Sequence, residues 1–191
     1  MNKIISNALA LIVAGIPAVA LAHTGQGNHG FMDGLAHPFL GMDHLLAMLV
    51  VGVWGALQTK NVWFAPTCFV ICLTIGTILG QHGFVLPLLE PVVATSVLVL
   101  GAMLTRPFKL GVPTTLVLIG GFAVTHGMAH GGELSAGTGV LVGIILGSAL
   151  LHVTGMSIAR FILKDRPQVA HRFGQAVAMV GGGLILSSVL G

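Results

Sequence analysis

The sequence carries very little charge. Asp, Glu, Lys and Arg make up 7% of its 191 residues, whereas soluble domains carry about 25%. This scarcity excludes an ordinary soluble domain, and the 8 Lys and Arg residues form no clustered basic surface for nucleic acid. With 55% hydrophobic residues and a mean hydropathy of +1.00, the composition predicts an integral membrane protein.

Several motifs are also missing. The two cysteines, Cys68 and Cys72, share one apolar run and provide no disulfide framework, although a soft-metal site on them stays open. The chain has no GxxxxGK[ST] loop for ATP and no HExxH motif of a zinc protease. The sequence therefore predicts a membrane protein without an ATP-binding loop of this kind and without the zinc motif of these proteases.

The first 22 residues match a secretory signal peptide. Lys3 supplies the positive start, an apolar centre follows, and Ala20–Ala22 provides the small-residue cleavage pattern. We predict cleavage after this pattern, so that His23 becomes the N-terminus of the mature chain, outside the cytoplasm. The alternative is an uncleaved first transmembrane helix. The predicted domains are a signal peptide over 1–22 and a membrane domain over 23–191.

The mature chain divides into apolar runs of the length that crosses a bilayer, about 20 residues in a helix. Short polar segments separate these runs and leave no room for a soluble domain. We therefore predict an all-α, polytopic membrane fold with a periplasmic mature N-terminus and six transmembrane helices. The predicted helices are 36–57, 61–80, 87–104, 112–129, 138–163 and 172–190.

The positive charges give the predicted helices an orientation. If the mature N-terminus is outside, the loops alternate from inside to outside, and all basic side chains fall on the cytoplasmic side. These residues are Lys60, Arg106, Lys109, Arg160, Lys164, Arg166 and Arg172. The same alternation predicts that most of the nine histidines lie in the outer half.

The segment HPFLGMDH, residues 37–44, brings two histidines and an aspartate to the mouth of an apolar run. We predict that Pro38 is the first residue of a helix, with His37 at its mouth and His44 two turns further on the same face. Asp43 is expected to ligate a metal directly or to accept the ring N–H of a ligating histidine. The alternative is a set of polar contacts that hold helices together.

The segment THGMAHGGE, residues 125–133, places more histidines on the same predicted side of the membrane. His126 and His130 are four residues apart and share one helix face, a common way to bring two imidazoles to one metal. Glu133 and His82 lie in or near outer loops and are further candidates for a metal relay. The alternative is that these side chains simply face water.

His152 lies deep in an otherwise apolar helix, one turn after Ser148. We predict an inner metal-binding stage or a proton relay at this position, because ionisable residues inside membrane helices are usually functional. The alternative is a histidine bonded to a neighbouring carbonyl. Gly139, Gly143 and Gly147 form a ladder of small residues on the same helix, which we interpret as a packing surface.

The stretch HPFLGMDHLLAMLVVGVWGA resembles the signature of the HupE/UreJ membrane proteins, and HGMAHGGE resembles their second characteristic block. The resemblance covers essentially the whole chain. It implies a non-enzymatic permease of the bacterial inner membrane that carries nickel, or cobalt, into the cytoplasm for hydrogenase or urease. It also implies that His37, Asp43 and His44 are the metal-motif positions, with His23 as an N-terminal ligand.

The expected partners are the lipid bilayer and the transported ion, without a resident cofactor and without nucleic acid. Self-association and a downstream metallochaperone stay open. Two other interpretations use the same histidines: a membrane-embedded metalloenzyme with catalytic zinc, and a periplasmic metal-binding or assembly protein that transports nothing. Metal uptake into sealed vesicles distinguishes the permease from both, and turnover in detergent identifies the enzyme.

Overall fold

The computed structural model describes residues 30–84, 86–105, 111–133 and 137–190, and all regular structure in these ranges is helical. The elements are α1 (Phe31–Leu40), α2 (Met42–Gln58), α3 (Phe64–Gln81), α4 (Leu89–Thr105), α5 (Val112–Glu133), α6 (Thr138–Ile158), a π-helical turn (Ala159–Leu163) and α7 (Pro167–Leu190). The prediction of a helical fold is confirmed. The predicted signal peptide and His23 lie outside the described residues.

Three helical segments of the described chain are long and apolar enough to cross a membrane. They are α3, the segment Thr138–Leu163 and α7, and the bent pair formed by α1 and α2 makes a fourth if it is one span. Helix α4 is also apolar but is shorter, at 17 residues. The chain is therefore a helical membrane protein, with three or four candidate crossings supported by length and composition.

The prediction of one continuous helix over 36–57 is wrong, because two helices cover this range. Helices α1 and α2 meet at an angle of 83° around Gly41, whose extended backbone (φ −86°, ψ 123°) interrupts the helical hydrogen bonds. Pro38 lies inside α1 and is not a first helical residue. Since proline has no N–H, it cannot bond the carbonyl of Gly34, which weakens the last turn just before the break.

The glycine ladder on α6 is the surface on which α1 packs. A Cβ atom at Gly143 would collide with the backbone of Phe31 and Leu35, and one at Gly147 would collide with the carbonyl of Leu35. Helices in a bilayer approach closely where small residues face each other. The interpretation of the ladder as a packing surface is confirmed, and the packing places the end of α1 beside the other helices.

Glycines also bring the remaining helices into backbone contact. Helices α3 and α5 run parallel, with Gly76 against Val124 and Gly127 against Leu73. Helices α4 and α7 run antiparallel, and α2 crosses α6 where Gly52 meets the backbone of His152. The apolar core between these pairs includes fully buried Phe69, Met48, Leu73, Leu100 and Ile144. Close backbone contact therefore fixes the positions of these helices relative to one another.

The bundle has two chemically different ends. The basic end comprises the end of α2, the π-helical turn and the start of α7, and it carries exposed Lys60, Arg160, Lys164, Arg166 and Arg172. A cleft of about 710 Å³ opens there between Leu57, Thr105, Lys164 and His171. The histidine end comprises the end of α1, the start of α2 and the end of α5. Arg106 and Lys109 lie outside the described residues.

Candidate metal site

Four histidine side chains from three helices meet at the histidine end. His37 lies in the last turn of α1, His44 near the start of α2, and His126 and His130 toward the end of α5. The His44 ring centroid is 4.3 Å from that of His130 and 4.7 Å from that of His126, and the His37 centroid is 4.7 Å from that of His130. The two sequence motifs thus form a single group, which we name the histidine cluster.

The bend at Gly41 is what allows His37 to join the cluster. In a continuous helix, His37 and His44 would be separated by about 10 Å along the axis. Across the 83° bend their ring centroids are 6.2 Å apart, and His130 packs against both rings. The predicted proximity of the two histidines is therefore correct, but its predicted cause, a shared face of one helix, is wrong.

The alternation of histidine and glycine in α5 explains where His126 and His130 point. Gly127 and Gly131 follow them by one residue each and lie against the backbone of α3. Successive helical residues are about 100° apart around the axis, so the histidines project from a neighbouring face. That face meets α1, α2 and α4, and it carries both rings into the cluster.

Asp43 holds the ring of His44. One carboxylate oxygen, Oδ1, accepts the backbone N–H of His44 and lies 2.8 Å from Nδ1 of the same residue. When Nδ1 carries its proton and donates it to the carboxylate, Nε2 presents a lone pair. His44 Nε2 has no hydrogen-bond partner among the described residues. This is the arrangement by which carboxylates orient metal-ligating histidines, and direct ligation by Asp43 stays a prediction.

Ser96 on α4 holds His126, and the sequence analysis missed it. Its Oγ lies 2.6 Å from the carbonyl oxygen of Val93 and 2.7 Å from Nε2 of His126. If the hydroxyl donates its single proton to the carbonyl, Nε2–H of His126 donates to Oγ and Nδ1 keeps a lone pair. A signal was present in the sequence, because a serine within a membrane helix is a candidate for interhelical bonding.

The histidine cluster is almost dry. His126 and His130 are 0% exposed and His44 is 7% exposed. Four ring nitrogens, namely His44 Nε2, His126 Nδ1 and both nitrogens of His130, find no hydrogen-bond partner within the described ranges. Buried polar atoms in this condition are rare and destabilising. A cation that accepts several of these lone pairs is a chemically suitable ligand.

The rings are packed against one another and do not converge on a point. In the described part of the chain, no group of three or more His, Cys, Asp or Glu side chains is arranged to hold a metal ion. The His44 and His126 rings, for example, are perpendicular at 90°. Ligation at this cluster therefore requires the imidazoles to turn about their side-chain bonds.

His152 lies outside the cluster, on α6. It is 1% exposed, and neither ring nitrogen has a well-aligned partner among the residues that the structure describes, although the Ser148 backbone one turn earlier is close enough to interact with the ring. Phe69 of α3 contacts it, with ring centroids 5.2 Å apart, and the same phenyl ring is 5.9 Å from the ring of His126. Sequence reasoning missed Phe69, because no spacing or residue type marks it.

Other candidate residues are not brought into the cluster. His82 is exposed at the end of α3. Glu133 is the last residue of α5, and its side chain lies outside the description, as does the whole of His23. Cys68 and Cys72 face Gly120 of α5, away from the four histidines. The soft-metal alternative thus has no link to the histidine cluster.

A cluster of four histidines, three of them buried, at one end of an apolar helical bundle defines a membrane protein with a candidate transition-metal site. The family model of HupE / UreJ protein matches residues 10–184. Protein HupE of Rhizobium leguminosarum bv. viciae is 38% identical over 181 residues, covering 92% of this chain and 95% of that protein. No solved structure matches the chain. The chain belongs to the HupE/UreJ family.

Proposed function

We propose that this protein is a secondary transporter that carries nickel, with cobalt as the second candidate, across the bacterial inner membrane into the cytoplasm. One observation carries the proposal: four histidines from three helices, three of them buried, meet at one end of a membrane bundle. Membership of the HupE/UreJ family supports it. The imported metal would serve the maturation of hydrogenase or urease.

The chemistry of the cluster supports a divalent transition metal as the cargo. Neutral imidazole suits nickel, copper, zinc and iron, whereas magnesium and calcium prefer oxygen ligands. His44 Nε2 and His126 Nδ1 are the lone pairs left when Asp43 and Ser96 hold the opposite nitrogens. Rotation of His130 would add a third nitrogen. Because such sites favour copper in raw affinity, nickel selection requires a geometry imposed by the helices.

A six-crossing topology fits this function. The bent pair α1–α2 would form the first crossing and α3 to α7 the other five, with α6 continuing through the π-helical turn. The exposed basic side chains gather at one end of the bundle, and positive residues favour the cytoplasmic side. The histidine end would then face the periplasm. Removal of the signal peptide would expose the amine and imidazole of His23 there for ion capture.

The transport path would run from the histidine cluster to His152 and then to the basic end. His82 and Glu133 would extend the capture surface at the periplasmic loops. Each stage has to bind the ion well enough to admit it and weakly enough to release it. The membrane potential would favour entry of a divalent cation by about 4.6 kcal/mol per 100 mV, twice the value for a single charge.

Uptake of radioactive nickel into proteoliposomes tests the proposal. We expect saturable uptake by the wild-type protein, its loss in His44→Ala, and its retention in the control His171→Gln at the basic end. Nickel binding without uptake by the wild type would contradict transport and support a metal-binding or assembly protein. Uptake that survives His44→Ala would keep the transporter and reject the cluster as its site.

A further inference from the structure

Phe69 is a neighbour of both the histidine cluster and His152. Its side chain is 0% exposed, and its ring lies beside both His126 and His152, at centroid distances of 5.9 and 5.2 Å. It is an apolar group among polar rings whose nitrogens are in part unpartnered within the described chain. An ion that passes from His126 to His152 moves past a phenyl ring that neighbours both histidines.

A buried phenyl ring is a barrier to a divalent cation. Apolar constrictions stop ions because water, which carries part of the ion's coordination, is excluded from them. The ring face attracts cations weakly, but it cannot replace imidazole or water as a ligand. The ring must therefore move aside before an ion can exchange one histidine for the next.

The packing of α3 restricts how this barrier can open. Gly76 and Gly80, on the same helix as Phe69, lie in backbone contact with Val124 and Met128 of α5. Since α3 and α5 are in contact along this length, a shift of α3 would also displace His126. Rotation of the Phe69 side chain would open the path between His126 and His152 without displacing His126.

We propose that Phe69 is the gate between the histidine cluster and His152, an inference that rests on the transport function proposed above. In the closed position its ring separates the histidine cluster from His152 and prevents an ion from passing between them. Side-chain rotation opens the passage for each transported ion. The size of residue 69 therefore sets the rate of transfer, whereas the histidine cluster sets the affinity.

A size series at this position tests the gate. Phe69→Leu removes bulk while keeping an apolar side chain, and Phe69→Trp adds bulk. The matched control is Phe173→Leu, the same change at a buried position near the start of α7. Two quantities are measured for each protein: the initial rate of radioactive nickel uptake into proteoliposomes, and the equilibrium affinity for nickel in detergent.

We expect Phe69→Leu to raise the initial uptake rate at least threefold and Phe69→Trp to lower it at least tenfold. Nickel affinity should stay within twofold of wild type in both, and Phe173→Leu should change neither quantity by more than twofold. If the Trp variant loses nickel binding through misfolding, the Leu variant decides the question alone.

Two results would overturn the gate. Uptake rates of both variants within twofold of wild type would show that residue 69 does not limit transfer. Slower uptake in Phe69→Leu would indicate a packing role instead. In either case, wild-type uptake that depends on His44 would leave the transport proposal intact. Absence of uptake by the wild type would overturn transport, and the gate with it.

Discussion

The two ends of the bundle hold the same type of residue in opposite conditions. His171 at the basic end is exposed, and its Nδ1 lies 2.6 Å from the carbonyl oxygen of Thr105. His130 at the histidine end is fully buried, and neither of its ring nitrogens finds a partner in the described ranges. The first histidine is satisfied by backbone and water, whereas the second lies in an apolar interior with its polar atoms unused.

The difference distinguishes polar groups whose hydrogen bonds can be made with solvent from buried polar groups that have no hydrogen-bond partner. An apolar residue of similar size at His130 would avoid the penalty of burying two unpaired nitrogens. The same applies to His126 Nδ1 and His44 Nε2. The polar groups at the basic end are thus explained by contact with water, whereas those at the histidine end have unpaired nitrogens that a bound cation would satisfy. Five substitutions, taken from the largest expected effect to the smallest, test this contrast.

Replacing His44 should have the largest effect, because its ring contacts all three other members of the cluster. We expect His44→Ala to lower the initial rate of nickel uptake at least about 100-fold, beyond the 10–100-fold typical of second-shell changes. Proteoliposome uptake at equal reconstitution measures this rate. Retention of more than a tenth of wild-type uptake would mean that the cluster is not the site.

Asp43→Asn should have the next largest effect. The amide keeps the size of the side chain but removes the negative charge that holds the Nδ1 proton of His44. We expect nickel affinity to fall by about 10- to 100-fold, as for other second-shell carboxylates. Competition titration in detergent measures the affinity. Asp33→Asn, whose Oδ2 lies 3.1 Å from the Gly30 nitrogen, is the control; equal losses in both variants would remove the special role of Asp43.

Gly143→Leu should disturb the cluster from a distance. The new side chain would collide with the backbone of α1 and displace His37. Overpacking typically destabilises a protein by about 1–3 kcal/mol, so we expect a lower unfolding temperature. The displacement of His37 should also slow nickel uptake, by about tenfold. Gly182→Leu is the matched control, because a Cβ there meets nothing within 4 Å. Wild-type uptake in Gly143→Leu would show that α1 does not position the site.

Ser96→Ala should weaken nickel binding more modestly. It removes the Oγ that fixes the ring of His126, but it leaves all the proposed metal ligands in place. A single hydrogen bond contributes about 0.5–1.5 kcal/mol, so we expect affinity to fall about threefold to tenfold. Thr95→Ala is the control, since its hydroxyl bonds only the Pro91 carbonyl of its own helix among the bonds described. Identical titrations for the two variants would argue against this role.

His171→Gln should have the smallest effect. Glutamine can donate to the Thr105 carbonyl, and the position is exposed at the basic end. Surface changes of this kind usually alter stability by less than about 0.5 kcal/mol, so nickel uptake should stay within about twofold of wild type. A larger loss would give His171 itself a role in nickel uptake and weaken the contrast between the two ends.

Much of the site could be predicted from local sequence. Low charge and long apolar runs predict membrane helices, and the spacing of His126 and His130 predicts a shared face. Asp43 beside His44 was expected to accept a ring N–H, and the 2.8 Å contact agrees with that expectation. These features depend on neighbours within one or two helical turns, where helical geometry alone determines proximity.

The break at Gly41 could not be predicted in the same way. The apolar pattern continues through it, and its φ of −86° is open to any residue, so no left-handed glycine signature marks the bend. Ser96 and Phe69 were missed for a different reason. Their roles arise from contacts with α5 and α6, and one sequence does not specify how separate membrane helices pack against each other.

The bend between α1 and α2 also has an electrostatic consequence. A helix that stops inside a bundle directs its negative dipole end, with carbonyls that lack intrahelical donors, toward whatever lies beyond it. The end of α1 at His37 has this polarity, and the positive start of α2 carries the carboxylate of Asp43 in its first turn. Discontinuous membrane helices use such ends to coordinate cations. The carboxylate of Asp43 outweighs the positive start of α2, so this carboxylate and the negative end of α1 together offer a divalent ion a favourable field even before any imidazole turns toward it.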